Sequence, residues 1–284
     1  MSLYLIFTVD GDWNEYFHAG RPNAERLPDA GTLQTLLSRE MSAAAVIGNK
    51  VLHFFHTSSV APDLFLQPAY SAIWKKSEAL GGSVGVHCHH KTLYRDACHS
   101  DPVAMERSID LLTRGLRSQG LHPISYRGGY MTFCEKNIPF LEKNGLVFDF
   151  SCDPGRYLRH EGEVIADWRG ASDNYYRMSC EDRRKPGTSK VVEIPLGKAG
   201  GDALYIDNMS LVRLWRAARA LARRAAGKKG DVIVSVLTHT YEFSSFWKTL
   251  RVTLALFICK MFGIFINDRE AVEIINNNER GQSS

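Results

Sequence analysis

Seven short apolar runs recur along this chain, and most are separated by stretches with helical spacing. The runs are Leu3–Asp10, Val51–His56, Ser83–His87, Pro123–Tyr126, Leu146–Phe150, Val191–Pro195 and Asp231–Leu237. Between them Thr32–Met41, Ala69–Leu80, Pro102–Ser118, Glu135–Asn144, Ser210–Ala226 and Phe246–Phe262 read as helices, several ended by glycine. Strands alternating with helices argue for a parallel sheet with helices packed on it. The pattern predicts one barrel-like α/β domain over residues 1–275, with a polar, frayed tail over 276–284.

The 284 residues are enough to bury a complete core, and the formal charge of +4 gives no case for nucleic-acid binding. Six cysteines (Cys88, Cys98, Cys134, Cys152, Cys180, Cys259) lack zinc-knuckle or redox spacing and read as reduced thiols. The chain runs straight into Leu3–Phe7 without a basic leader, and Val252–Cys259 is flanked by Lys248, Arg251 and Lys260, far short of a membrane span. A cytoplasmic protein is expected.

The polar residues of interest collect at the C-terminal ends of different runs. Val84-Gly85-Val86 leads into His87-Cys88-His89-His90. In a strand His87 and His89 would share one face, and two imidazoles side by side suit a divalent metal of the zinc class. A His-rich polar loop would give the same letters. Asp10 and Asp12 follow the first run, where a simple turn is the competing reading. Arg127 follows the fourth run, Asp149 lies at the fifth and His239 follows the seventh. In a parallel barrel these ends share one mouth, where chemistry is built. His53 and His56 lie inside a strand and read as core or loop residues. The polar, aromatic segment from Asp153 to Lys190 is too long for a connector and reads as a lid or substrate-binding insertion. Trp13, Asp149 and Trp168 are the candidate substrate contacts.

Five stretches together resemble the ordered motifs of the polysaccharide deacetylases (NodB-homology, carbohydrate esterase family 4). They are Thr8-Val9-Asp10-Gly11-Asp12-Trp13, the histidine cluster, Tyr126-Arg127-Gly128-Gly129-Tyr130, Phe148-Asp149-Phe150-Ser151 and Leu237-Thr238-His239. The match spans Leu3 to Tyr241. It implies a distorted seven-stranded (β/α) barrel and one divalent metal, zinc being the first choice. By the same resemblance Asp10 is the base, and Asp12, His87 and His89 hold the metal, with His90 as the alternative to His89. Arg127 orients Asp10, His239 is the acid serving the leaving amine, and the backbone N–H of Tyr130 helps hold the oxyanion. The chain departs from the usual pattern in splitting the paired aspartates as Asp10-Gly11-Asp12. It also lacks a second histidine four residues on and carries Arg-Gly-Gly-Tyr in the third motif. The H-x-H form is similar to deacetylase-like proteins of bacterial surface-polysaccharide (O-antigen) biosynthesis.

The implied activity is a metal-dependent deacetylase removing an N-acetyl or related acyl group from an amino sugar or glycan precursor. Two rivals stand beside it: a carbohydrate-binding relative that has lost turnover, and a hydrolase of small cyclic amides. The helix at Ser210–Ala226 carries Arg213, Arg216, Arg219, Arg223 and Arg224 on its polar face. That face reads first as a solvated outer barrel surface and alternatively as a peripheral contact with an anionic membrane.

Overall fold

The computed structural model describes residues 2–11, 30–57, 68–88, 91–92, 95–96, 102–160, 163–228 and 230–282. Its frame is seven strands: Leu3–Asp10 (β1), Val51–Thr57 (β2), Ser83–Cys88 (β3), Ser125–Gly128 (β4), Phe148–Asp149 (β5), Val192–Glu193 (β6) and Val232–His239 (β7). Neighbours from β1 to β6 pair in parallel and in sequence order, and β7 pairs in parallel with β1. Isolated parallel bridges from Leu196 to Ser235 and from Tyr205 to Leu237 bring the chain after β6 onto β7. The sheet therefore curls back on itself as the distorted seven-stranded barrel that the motif order implies. Around it lie Ala30–Ala44 (α1), Pro68–Ala79 (α2), Pro102–Ser118 (α3), Ile138–Lys143 (α4), Leu211–Ala226 (α5), Phe246–Lys260 (α6) and Asp268–Gln282 (α7).

Strand alternation sorts the side chains into two layers. On β1, Leu3, Leu5, Phe7 and Val9 join the large cluster packed under the helices, while Ile6 joins the smaller cluster inside the barrel. On β3, Val84, Val86 and Cys88 face the helices, so Ser83, Gly85 and His87 face inward. On β7, Val232, Val234 and Val236 face out and Ile233 faces in. The same parity turns Thr8, Asp10, Arg127 and His239 into the interior. Gly85 is required there, because a Cβ on it would lie 2.5 Å from the Phe54 ring.

His53 is a core residue, as its place inside a strand suggested. It is buried with Nδ1 3.0 Å from both carboxylate oxygens of Glu40 on α1, and its ring lies 4.3 Å from that of Trp74 on α2. The side chain of His56 is outside the described set.

Two elements differ from expectation. The segment 153–190, expected as a lid or substrate-binding insertion without regular structure, contains a hairpin, Tyr157–His160 with Glu163–Asp167, and the strand Tyr176–Arg177, which pairs antiparallel with β6. Residues 276–282, expected to fray, continue α7. Arg177 holds Glu279 at 2.7 Å, and Asn278 donates to the Tyr175 hydroxyl at 3.1 Å, so partners fix what composition alone left loose. The strand Ile264–Phe265 leads into this helix, whose Ala271 and Ile275 join the interior cluster, and Asp268 accepts from Ser125 at the start of β4. The end of the barrel opposite the strand C-termini is thus closed.

A reciprocal cap starts this closing helix. The Asn267 side chain accepts from the Glu270 N–H at 2.8 Å, and the Glu270 carboxylate accepts from the Asn267 N–H at 2.8 Å. Asn267→Ala should lower unfolding free energy by about 1 kcal/mol, read from the urea midpoint at unchanged slope. An unchanged midpoint would show that the cap does not contribute.

Candidate active site

Register brings four of the expected residues to the barrel mouth. Asp10 is level with His239 across the β1–β7 pair, and His87 is level with Arg127 across the β3–β4 pair. Inward parity then aims all four at one place.

Arg127 is fully buried, and three of its contacts define it. Nη1 donates to Asp10 Oδ1 at 2.6 Å and to the Thr8 hydroxyl at 3.0 Å, and Nε donates to the Phe150 carbonyl at 3.0 Å. The guanidinium lies 4.7 Å from the Phe54 ring centroid, so its flat face is covered by an aromatic while Nη1 and Nε are spent on hydrogen bonds. Asp10, almost fully buried, is thereby fixed in rotamer and direction.

His87 is buried with Nδ1 3.0 Å from the Arg127 carbonyl. A carbonyl only accepts, so Nδ1 carries the proton and Nε2 the lone pair. Nε2 lies 3.9 Å from Asp10 Oδ2, at the same mouth. A histidine oriented by a carbonyl on one nitrogen and offering the other to a site is how imidazole ligands are commonly held. The donor chemistry therefore fits the divalent metal that the motifs imply. The other expected ligands, Asp12 and His89, the alternative His90, and Trp13 lie outside the described residues. Among the described residues no three His, Cys, Asp or Glu side chains form a metal-holding group.

His239 belongs to a cluster that the sequence reading did not foresee. Its Nδ1 lies 2.6 Å from Asp207 Oδ2, in the turn Ile206–Asn208. Asp207 also accepts from the Thr238 hydroxyl at 2.5 Å and from the Tyr241 hydroxyl at 2.9 Å. The Tyr241 ring stacks on the imidazole with centroids 5.0 Å apart, and the Tyr205 ring lies 5.4 Å away on a tilt. Burial, then the Asp207 charge, push the Tyr241 phenol well up, so it stays protonated and donates. The carboxylate fixes the proton on Nδ1 and leaves Nε2 for the mouth. No periodic pattern marks Asp207; a lone aspartate between aromatic residues looks like any turn.

Tyr130 stands two residues beyond β4, in a turn where Tyr130 and Met131 both have positive φ (55° and 61°). For side chains larger than glycine that conformation costs about 1–2 kcal/mol each, so neighbours must hold it. They do: Trp168 Nε1 donates to the Met131 carbonyl at 2.7 Å, and the Gly129 carbonyl accepts from both the N–H and the hydroxyl of Thr132. A Cβ at Gly128 would lie 1.8 Å from the Thr132 carbonyl oxygen, which reserves that position for glycine.

Two expected substrate contacts are corrected. Trp168 is fully buried beneath the Tyr130 turn and supports it from behind. Asp149 is also fully buried, because Phe148 and Phe150 take the interior positions and alternation turns the residue between them away from the mouth. There it meets Glu193, a residue unmarked in the sequence reading although a glutamate within Val191–Pro195 is itself unusual. Burial, outweighing hydrogen bonds from Ser151 and the Arg127 charge, raises the Asp149 carboxyl to about 6. Burial and then the Asp149 charge raise Glu193 well above its ordinary value. Burial and the neighbouring carboxyl both work against two ionised groups side by side at this place.

No protein-family model matches the chain, and no curated protein sequence matches it. Solved structures do. A protein assigned as a polysaccharide deacetylase from Mycobacterium smegmatis superposes with a TM-score of 0.62 at 14% identity, over 97% of this chain and 91% of its own. The 4-alpha-glucanotransferase of Thermococcus litoralis superposes with a TM-score of 0.55 at 10% identity, over 95% of this chain but 38% of its own. A family 4 carbohydrate esterase from Streptomyces lividans is also similar, at 14% identity and a TM-score of 0.41, over 89% of this chain and 87% of its own. At these identities the likeness is one of fold: the chain shares the barrel of the Mycobacterium smegmatis protein over nearly its whole length.

The buried acid pair makes a pH-dependent prediction. A carboxyl raised from 3.8 to about 6 binds its proton more tightly in the folded than in the unfolded chain. Stability should therefore fall as pH rises from about 4 to about 6. Glu193→Gln keeps a donor toward Asp149 but removes one charge, so its urea midpoint should fall less over that interval. Parallel curves for variant and wild type would show that the two acids do not titrate together.

Proposed function

We propose that the protein is a metal-dependent deacetylase that hydrolyses the N-acyl amide of an amino sugar or glycan precursor. The observation that carries this reading is the pairing of opposite roles across one mouth. Asp10, ion-paired with Arg127, faces His87 and lies level with His239, which Asp207 holds in one tautomer. Amide hydrolysis needs a base for the attacking water and an acid for the departing nitrogen, because an amine anion does not leave.

A divalent cation held by His87 with Asp12 and His89 would supply Lewis acidity toward the amide carbonyl and the attacking water. Asp10 accepts a proton from that water as its oxygen bonds to the carbonyl carbon. Arg127 keeps the Asp10 carboxylate aimed during the transfer. The Tyr130 N–H, presented by the braced turn, donates to the carbonyl oxygen as charge builds there. His239 then delivers a proton to nitrogen as the C–N bond breaks, and Asp207 stabilises the imidazolium form that donates it. The products are a primary amine and a carboxylate, acetate where the acyl group is acetyl.

The glucanotransferase superposition shows that this barrel also serves other glycan chemistry, so fold alone does not choose the reaction. Glycosyl transfer calls for two carboxyl groups flanking the bond. The two carboxylates described at this mouth are otherwise engaged: Asp10 is ion-paired to Arg127, and Asp207 is bonded to His239, Thr238 and Tyr241. The thiols of Cys134, Cys152, Cys180 and Cys259, in no disulfide among the described residues, fit a reducing compartment, and we assign the enzyme to the cytoplasm.

The test is release of acetate and primary amine from a panel of N-acetylated sugars and glycan fragments, with zinc and with chelator. Both products should appear in equal amounts with zinc and vanish with chelator. Asp10→Asn should lower kcat by about 10²–10⁴-fold at unchanged metal content. If no N-acylated sugar yields acetate in the metal-loaded protein, the hydrolase reading is wrong. Asp207→Asn should reduce kcat by at least about tenfold with KM little changed, since it frees the imidazole to take the wrong tautomer. A rise in KM alone would place the cluster in substrate binding.

A further inference from the structure

A barrel helix needs one apolar face, and α6 has two. Val252, Ala255, Leu256 and Cys259 are buried on the side toward the barrel. Phe246, Trp247, Leu250, Leu254, Phe257 and, just past the end, Met261 are exposed, and at 100° per residue they fall within an arc of about 100° on the opposite side. Trp247 is 75% exposed, Phe246 67% and Phe257 56%. Six large side chains in one arc amount to a patch on the order of several hundred Å², the size at which exposed apolar surface marks a contact.

The helix beside it supplies charge of one sign. Helix α5 packs against α6, and Trp215 of α5 meets Phe262 just beyond α6 with ring centroids 6.1 Å apart. Every charged residue on both helices is basic. Arg213 and Arg224 are spent on Asp202 and Asp173. Arg216, Arg219 and Arg223 are exposed, share the outer face with Val212, and have no ion-pair partner among the described residues. Arg219 lies 5.2 Å over the Trp215 ring.

We propose that the outer face of α5 and α6 docks the protein on an anionic lipid bilayer, with α6 lying in the interfacial plane. Aromatic and aliphatic side chains flanked by arginine, on a helix too short to span, are what such a surface receives. No helix of the described residues is long and apolar enough to cross a membrane. A second copy is the weaker occupant, because a twofold contact would set the unpaired arginines of both copies together.

The patch begins at the mouth of the candidate site. Lys248, next to Trp247, donates to the Tyr241 carbonyl at 3.4 Å and lies 5.7 Å over the Tyr241 ring, which stacks on His239. Docking would therefore bring the mouth close to the lipid–water boundary. Resting on the deacetylase reading, the substrate class this favours is a glycan precursor carried on a lipid anchor.

The experiment is co-sedimentation with vesicles of phosphatidylcholine, with and without phosphatidylglycerol, while following tryptophan emission. It needs no turnover, so it can fail or succeed independently of the acetate assay. Wild type should sediment with the anionic vesicles, shift its emission to the blue, and release as salt is raised. The double variant Trp247→Ser/Phe257→Ser should lose binding at least about tenfold while keeping wild-type circular dichroism, since both side chains are exposed. Substituting Arg216, Arg219 and Arg223 by Gln should weaken binding about fivefold per position on anionic vesicles only. Wild type remaining in the supernatant, or binding that neither set of variants alters, overturns the proposal. So does a concentration-dependent dimer that Trp247→Ser/Phe257→Ser converts to monomer, which assigns the face to a second copy.

Discussion

A buried ion pair between Arg127 and Asp10 organises the interior of this barrel. An arginine with no exposed surface is tolerable only if its charge is met, and breaking such a pair by removing one partner costs about 3–5 kcal/mol. Nη2 is buried without a hydrogen-bond partner among the described residues, while Thr8 and Asp10 accept from Nη1, the Phe150 carbonyl accepts from Nε, and Phe54 covers the guanidinium face. Those partners come from β1, β2 and the end of β5, so one side chain fixes the relative heights of several strands. The Arg127 carbonyl, on the same residue, sets the tautomer of His87. Behind the sheet, burial raises the Asp149 and Glu193 carboxyls, and the charge of the same guanidinium works against that rise in both. Structure and candidate chemistry thus depend on one contact.

The parts of this arrangement differ in how far the sequence alone revealed them. Apolar runs ending in Asp10, His87, Arg127 and His239 were visible because a parallel barrel puts every strand end at one mouth. Alternation around Asp149 was equally visible, and Phe148 and Phe150 on either side mark it as facing away; the motif's position at a strand end outweighed that local pattern. Asp207 was not legible, since its role depends on a turn that meets β7 only through the fold. Trp168 looked like a sugar platform by type and proves to brace a strained turn. The closing helix α7 was not read in the sequence at all: its polar composition concealed a helix whose start is capped by Asn267 and Glu270 and whose end is secured by Arg177, more than 90 residues upstream.

The fold leaves the reaction open, as its likeness to both a deacetylase and a glucanotransferase makes plain. What narrows the choice is the pairing of a carboxylate held by arginine with a histidine held by aspartate. The exposed face of α6 adds a second constraint of a different kind. It starts beside Tyr241, so the surface that would meet lipid and the histidine that would meet the leaving nitrogen are joined by a few residues of one turn. A substrate delivered along that surface would enter at the mouth.

The central claim is that Arg127 acts by holding Asp10 as an ionised, aimed base. Its most direct test is the pH–rate profile of Arg127→Lys against wild type, on whichever N-acylated sugar is turned over. Lysine keeps the charge but loses the planar fork that reaches Asp10, Thr8 and the Phe150 carbonyl together. The weaker pairing favours the charged carboxylate less, so the acidic limb of kcat should move to higher pH, with a fall of kcat and little change in KM. An acidic limb that stays in place while KM alone rises would make Arg127 a substrate-binding residue and contradict the account.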